Sequence, residues 1–197
     1  MKVFFVRHGE TDHNLLPDSS VVANDAALNE MGLLQAKAVA AKLTLYSPTH
    51  IYSSPLRRAQ QTAQIIANTY STSVETTKAL LEFDIGDWSE LAGEVIKQRM
   101  IEADVWNYSE HKFGWRVPGG ESWQDVHGRV KELIETTVNN SDVNSTIVFV
   151  THNNIVRAAN GILRNKPFKE WFGYHISNGT AYGYELQDDS TWSEIKV

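Results

Sequence analysis

Short runs of β-branched and aromatic residues alternate along the chain with longer stretches whose apolar positions recur at helical spacing. Lys2–Arg7 (KVFFVR) reads as a compact strand and His50–Ser53 as a second, shorter one. Thr146–Thr151 (TIVFVT) is the strongest candidate for a buried strand, because its apolar run is nearly continuous. Glu30–Leu45 is rich in Ala and Leu and predicts a helix that ends before Pro48. Pro55 stands where a helix would open, leading into Arg57–Tyr70. In Ser122–Val138 the residues Val126, Val130, Leu133, Ile134 and Val138 form an amphipathic stripe. Asn153–Leu163 continues as a helix, and Gly179–Gln187 with Thr191–Val197 predicts a terminal hairpin around Asp188-Asp189-Ser190. This alternation predicts an α/β fold: a three-layer sandwich with a mostly parallel sheet flanked by helices.

The pattern lapses at Phe83–Gly120, which holds Trp88, Trp106, Tyr108, Phe113 and Trp115. A helix around Glu90–Asp104 and a loop to Pro118-Gly119-Gly120 are expected there. With no repeat, low-complexity tract or linker, the region reads as an excursion at about 83–120 from a single domain spanning residues 1–197. Packing is the expected role of its aromatics, and a lid over a substrate is the alternative. A chain of 197 residues can bury a sizeable core without staples, and the absence of cysteine excludes a disulfide scaffold and a thiol nucleophile. The net charge of −6, with no long basic run, argues against a nucleic-acid partner. Val3–Val6 is the only apolar run at the start, far short of a signal-peptide core or a spanning helix. A cytoplasmic protein with no membrane partner is therefore expected. The sequons at Asn139, Asn144 and Asn178 are read as chance matches.

Chemistry-bearing residues collect after three predicted strands: Arg7-His8-Gly9-Glu10-Thr11, Ser53-Ser54-Pro55-Leu56-Arg57-Arg58, and Thr151-His152-Asn153-Asn154. Ligands of open α/β sheets bind beyond the carboxyl ends of the strands. If these strands are parallel, His8 and His152 meet in one pocket with two or more arginines. Such a locally basic pocket in an acidic protein suits a small anion better than a polyanion.

Arg7-His8-Gly9-Glu10-Thr11 with Asn14 resembles the opening motif of the histidine phosphatase superfamily, the group that includes cofactor-dependent phosphoglycerate mutases, fructose-2,6-bisphosphatase and α-ribazole phosphatase. The resemblance continues through Leu28–Ala36, Ser53–Ala63, Leu81–Trp88, Pro118–Ser122 and Val150–His152, in the family order. It implies a phosphoglycerate mutase-like sandwich and a reaction at phosphorus. His8 would be the nucleophile, neutral at its attacking nitrogen, with the other nitrogen donating to main chain. Arg7 and Arg58 would clamp phosphoryl oxygens, a task their planar forks suit. His152, protonated beside the dianion, and Asn14 would add donors, and Asn153 would join them at the substrate. In the motif the functional arginine directly precedes alanine, which selects Arg58; Arg57 would point about 100° around the helix. Glu82, four residues before Gly86, would be the general acid, with Asp84 and Glu10 as competitors.

Two departures stand out. Asn153 and Asn154 replace the glycines usual after the second histidine, and a left-handed turn that Asn tolerates is expected there. Trp88-Ser89-Glu90 stands where many members read Trp-Glu-Gly. No cofactor and no metal are implied, and the sequence carries no His-Glu-x-x-His, EF-hand, P-loop or Gly-x-Ser-x-Gly motif. The expected activity is a metal-independent phosphatase that hydrolyses a small phosphorylated metabolite through a phosphohistidine. A cofactor-dependent phosphoglycerate mutase and a non-catalytic phosphate-binding regulator are the alternatives. Which ester it takes, and the oligomeric state, stay open.

Overall fold

Two apolar strands, β1 (Lys2–Arg7) and β4 (Thr146–Thr151), run parallel at the centre of a six-stranded sheet, with Arg7 in register with Thr151. The structure, a computed structural model, describes residues 1–16, 25–105, 109–173 and 175–197. β2 (His50–Ser53) and β3 (Val74–Thr76) extend the parallel part beyond β4. On the other side β5 (Ala181–Leu186) runs antiparallel to β1, and β6 (Trp192–Ile195) antiparallel to β5, giving the order β3-β2-β4-β1-β5-β6. The fold is thus α/β with a mixed sheet, parallel across its four strands from β3 to β1.

Five helices accompany the sheet among the described residues: α1 (Glu30–Leu43), α2 (Arg57–Tyr70), α3 (Gly93–Glu102), α4 (Trp123–Asn139) and α5 (Asn153–Leu163). The period of two along each strand divides the core. Phe4, Val6, Val148 and Val150 pack with Val39, Leu43, Ala63 and Ile66 of α1 and α2. Val3, Phe5, Ile147 and Phe149 pack with Val126, Val130, Ile155 and Ala159 of α4 and α5. β1 and β4 are apolar on both faces because both faces are covered.

Local signals set most boundaries. Asn29 caps α1 by accepting from the Gly32 N–H at 2.8 Å. Ser122 and Asp125 form a capping box that opens α4 one residue after the expected start. Other elements depart further from expectation. The helix expected over Glu30–Leu45 ends at Leu43 and tightens into a 3-10 turn over Thr44–Tyr46. The helix expected over Glu90–Asp104 occupies only Gly93–Glu102. β3 was not expected at all: it is three residues long, polar at two of them, and takes its shape from pairing with β2. No helix among the described residues is long and apolar enough to cross a membrane.

In the excursion, Trp88, Ile96 and Val117 form a small separate core, with Trp115 tilted against Trp88 at 5.7 Å. Trp123 stacks on Phe83 at 4.8 Å. Arg116 reaches back to the Gly120 carbonyl and to Asp125, fixing the Pro118–Gly120 turn at the surface. Trp106 and Tyr108 lie outside the described residues.

Candidate active site

The register of β1 on β4 makes His8 and His152 the next residues beyond two adjacent parallel strand ends. Their rings meet edge to face, 5.1 Å apart, and only 4% of His8 and 1% of His152 is exposed. The main chain holds His8 tightly: its N–H donates to the Thr151 carbonyl at 2.9 Å, and its carbonyl accepts from Gly179 N–H and Asn178 Nδ2, each at 3.1 Å. Gly9 must be glycine, since a Cβ there would lie 2.3 Å from the Gly32 carbonyl oxygen at the start of α1. Gly9 N–H also donates to Thr62 Oγ1, which in turn donates to the Arg58 carbonyl on α2.

The imidazole of His8 is oriented through both nitrogens. Nδ1 lies 2.7 Å from the Gly9 carbonyl oxygen, which requires it to carry the proton. Nε2 is then the acceptor and takes the Arg58 Nε–H at 3.1 Å. Burial, and then the Arg58 and Arg7 guanidiniums, push His8 down to about 3, although the Gly9 carbonyl opposes them. His8 is therefore neutral at neutral pH, with its lone pair on Nε2, as expected.

His152 is buried in the same surroundings. Burial first, then His8, Arg58, Arg7 and Arg129, hold it well below its ordinary value, so in the free site it is neutral and not protonated. Its Nε2 lies 2.8 Å from Ser54 Oγ, while its Nδ1 is buried with no partner among the described residues. Arg7 shows the same feature. One terminal nitrogen donates to the Ile176 carbonyl at 2.5 Å, and its Nε is buried without a partner among the described residues.

These depressed imidazoles carry a stability consequence. The unfolded chain takes up the His8 proton below about pH 6.5, whereas the folded chain refuses it until about 3. The contribution is complete above pH 6.5 and is lost as pH falls toward 3. Between pH 7 and 4.5, His8 alone should remove about 2–3 kcal/mol of unfolding free energy. Chemical denaturation at both pH values should show wild type losing that much more than His8→Gln. Equal losses would mean that the imidazole titrates normally in the folded chain.

Glu82 enters from the loop after the 3-10 turn Lys78–Leu80. Its Oε1 accepts from Phe83 N–H at 2.8 Å and its Oε2 from Asn154 N–H at 3.3 Å. Burial raises its carboxyl above the ordinary range, outweighing those two N–H groups and the Arg58 and Arg7 charges. Asp84 is exposed and accepts from Gly86 N–H, and Glu10 accepts from Asn29 Nδ2. Arg58 is buried, whereas Arg57 is exposed.

The asparagines behave differently from expectation. Asn153 and Asn154 open α5, directly after His152 as its N-cap, and neither has a positive φ. No left-handed turn is needed, so the replacement of glycine costs no backbone strain. Asn153 Oδ1 accepts from Arg157 Nε at 3.4 Å, and Asn14 Oδ1 accepts from Thr11 N–H and from Asn178 Nδ2. Both amides sit in the site's polar framework. Asn178, noticed in the sequence only as a sequon, holds His8 and Asn14 together.

Several supporting residues were not expected. Ser54 holds His152, Thr62 ties the His8 loop to α2, and Thr151 Oγ1 donates to the Leu80 carbonyl at 2.7 Å. Arg129 on α4 is paired with Glu121 at 2.8 Å and donates to the Ala79 carbonyl at 2.6 Å and the Glu82 carbonyl at 3.5 Å. Glu121 accepts from Asp84 N–H as well, so one ion pair braces the segment carrying Glu82 from both sides. Among the described residues, no group of three or more His, Cys, Asp or Glu is placed to hold a metal.

This geometry has close counterparts. A 2,3-bisphosphoglycerate-dependent phosphoglycerate mutase of Thermoplasma acidophilum is 32% identical over 187 residues, covering 91% of this chain and 85% of that protein. Phosphoserine phosphatase 1 of Hydrogenobacter thermophilus is 32% identical over 180 residues, covering 91% and 84%. Among solved structures, a mycobacterial glucosyl-3-phosphoglycerate phosphatase complexed with VO3 superposes with a TM-score of 0.82 at 27% identity, covering 98% of this chain and 96% of that one. The family model of the histidine phosphatase superfamily (branch 1) matches residues 3–195, and the chain belongs to that superfamily.

Proposed function

We propose that the protein is a cytoplasmic, metal-independent phosphomonoesterase that hydrolyses a small phosphorylated metabolite through a phosphohistidine at His8. The observation that carries this reading is a pair of buried nitrogens without a partner among the described residues, Arg7 Nε and His152 Nδ1, beside a neutral imidazole whose Nε2 lone pair faces Arg58. Leaving buried polar groups unpaired costs about 1–3 kcal/mol each, a cost that the oxygens of a bound phosphoryl group would remove.

In the first step Arg58 Nε turns from His8 Nε2 to a phosphoryl oxygen, which frees the lone pair. Nε2 bonds to phosphorus as the ester P–O bond breaks, and Glu82 gives its proton to the leaving oxygen. Arg7, Arg58, His152 and Asn14 bind the equatorial oxygens, and Asn153 keeps Arg157 near them. Glu82, now a carboxylate, takes a proton from water. The oxygen of that water attacks phosphorus, and the N–P electron pair returns to Nε2. The raised carboxyl of Glu82 suits proton donation: an ordinary carboxyl would have lost its proton at neutral pH.

Chelator-treated protein is expected to release phosphate from alkyl phosphomonoesters as fast as untreated protein. Loss of release after chelation, restored by a divalent cation, would refute the metal-free reading. A mutase would instead return the phosphoryl group to bound product. The cations of Phe83–Met100 do not favour that outcome: Arg99 lies over the Trp88 ring at 5.9 Å, and Lys97 is exposed. With 3-phosphoglycerate and a bisphosphoglycerate primer, phosphate release should outrun isomerisation. The reverse order would establish the mutase reading.

Arg129 should act through the Glu82 segment. Arg129→Met is expected to cost about 2–3 kcal/mol of stability, because it leaves Glu121 half-buried without its partner. It should also slow alkyl esters about 10- to 100-fold while slowing aryl phosphates much less. Thermal melts and a paired rate comparison read both effects. Equal slowing of the two esters would mean that Arg129 does not position the acid.

A further inference from the structure

Four residues of the loop that enters β5 grip Arg7 and His8. Arg7 N–H donates to the Thr180 carbonyl at 3.1 Å, and Gly179 N–H donates to the Arg7 and His8 carbonyls at 3.0 and 3.1 Å. The Ile176 carbonyl takes the Arg7 guanidinium. The antiparallel pairing of β5 with β1 thus runs on past Val6, and the sheet itself delivers this loop to the nucleophile. Asn178 stands in the middle of the loop, half-buried, and its Nδ2 makes two hydrogen bonds: to the His8 carbonyl at 3.1 Å and to Asn14 Oδ1 at 3.2 Å. Asn14 Oδ1 also accepts from Thr11 N–H at 3.0 Å and from Thr11 Oγ1 at 3.1 Å. Among the described residues, Asn178 therefore supplies the one side-chain hydrogen bond that ties Asn14 to a residue outside its own turn.

We infer that Asn178 is a positioning residue for the phosphoryl group: it couples Asn14 to the main chain of His8 and sets which end of the Asn14 amide meets the ligand. This goes beyond the phosphatase reading and rests on it for one point, that Asn14 binds a phosphoryl oxygen. A carbonyl only accepts, so the Asn178 atom at His8 must be nitrogen. The same nitrogen faces Asn14, which must answer with its oxygen, and Thr11 N–H makes the same demand from within the turn. With Oδ1 so engaged, Asn14 Nδ2 makes no hydrogen bond among the described residues, and its two N–H groups are left for an anion. The reversed amide would set nitrogen against two donors and turn an oxygen toward the phosphoryl oxygens, where it can only repel. Thr11 fixes the amide within its turn; Asn178 fixes that turn to the nucleophile. Aspartate at position 178 would keep the shape and invert the polarity, with carboxylate oxygens facing the His8 carbonyl and Asn14 Oδ1.

Calorimetric binding of inorganic phosphate at neutral pH tests this without turnover, through a double-mutant cycle. Asn14→Ala should weaken phosphate by about tenfold or more, the scale of one hydrogen bond to a charged group. Asn178→Ala should weaken it about 3- to 10-fold with Asn14 present, and by less than about twofold in the Asn14→Ala background, because its effect passes through Asn14. Asn178→Asp should bind phosphate more weakly than Asn178→Ala, with an excess that is larger when Asn14 is present; a residue that only filled space would show the reverse order. Thermal melts establish that the variants are folded, as expected from the Gly179 N–H that still holds the His8 carbonyl, and Asn178→Ser gives the same cycle should the alanine variant not fold. Equal losses from Asn178→Ala in both backgrounds, no loss in either, or tighter binding by the aspartate than by the alanine variant overturns the inference alone. Unchanged phosphate binding in Asn14→Ala removes Asn14 from the ligand and takes the inference with it. A cycle that holds in a protein releasing phosphate from no ester keeps the role of Asn178 and rejects hydrolysis instead.

Discussion

Replacing His8 with alanine should abolish phosphate release, lowering kcat/KM by about 10,000-fold or more on every ester that the wild-type protein hydrolyses. The size follows from what is removed. The His8 ring is the only neutral imidazole in the site whose tautomer is fixed by main chain and whose free nitrogen faces a guanidinium. His152 is not expected to take over, because its Nε2 is engaged with Ser54 and its Nδ1 is assigned to binding a phosphoryl oxygen. The fold should survive, since the backbone of residue 8 is held by Thr151, Gly179 and Asn178 independently of the ring. Far-UV circular dichroism and a thermal melt would establish this alongside the kinetics. A folded His8→Ala protein that still turns over within tenfold of wild type would exclude His8 as the nucleophile.

Glu82→Gln should separate substrates by their leaving groups. Alkyl phosphates, whose alkoxide needs a proton, should slow by about 100- to 10,000-fold; aryl phosphates carrying an acidic phenol should slow by less than about tenfold in the first step. Gln keeps an oxygen for the Phe83 N–H but loses the longer contact to the Asn154 N–H, a loss common to both ester types, so the difference between them reports the proton. The pH profile carries the same information. Glu82 must be protonated to donate, and burial raises its carboxyl, so alkyl-ester activity should fall as pH rises through that raised value. The alkaline fall should vanish in the variant. Equal slowing of both ester types, with the alkaline limb retained, would assign proton donation elsewhere.

The sequence carried the parts of this molecule that local pattern controls. β1, β2, α2, β4 and α5 begin and end where hydrophobic runs, Pro55 and polar breaks place them. The convergence of His8, Arg58 and His152 was legible because each follows a strand, and parallel strands deliver their ends to one edge. Glu82 has no such marker: it stands on an irregular loop, and only resemblance to a family motif distinguished it from Asp84. β3 escaped notice because its pairing with β2, not its three residues, makes it a strand. Thr62, Arg129 and Asn178 act on partners 47 to 170 positions away, a relation that no local pattern contains. That His152 is neutral in the free site was not legible for a related reason, since burial beside three arginines is set by the assembled site.

The measurement that bears most directly on the account is capture of the covalent intermediate. Glu82→Gln lacks the carboxylate that activates water, so an aryl ester labelled at phosphorus should load the protein faster than the adduct clears. Denaturation in alkali, where a phosphoramidate survives, followed by peptide mapping, should place one label per chain on His8, at Nε2. The double variant carrying His8→Ala should take up none. A label on His152 or on a carboxylate, or no label while product phosphate accumulates in a single burst-free phase, would contradict covalent catalysis at His8.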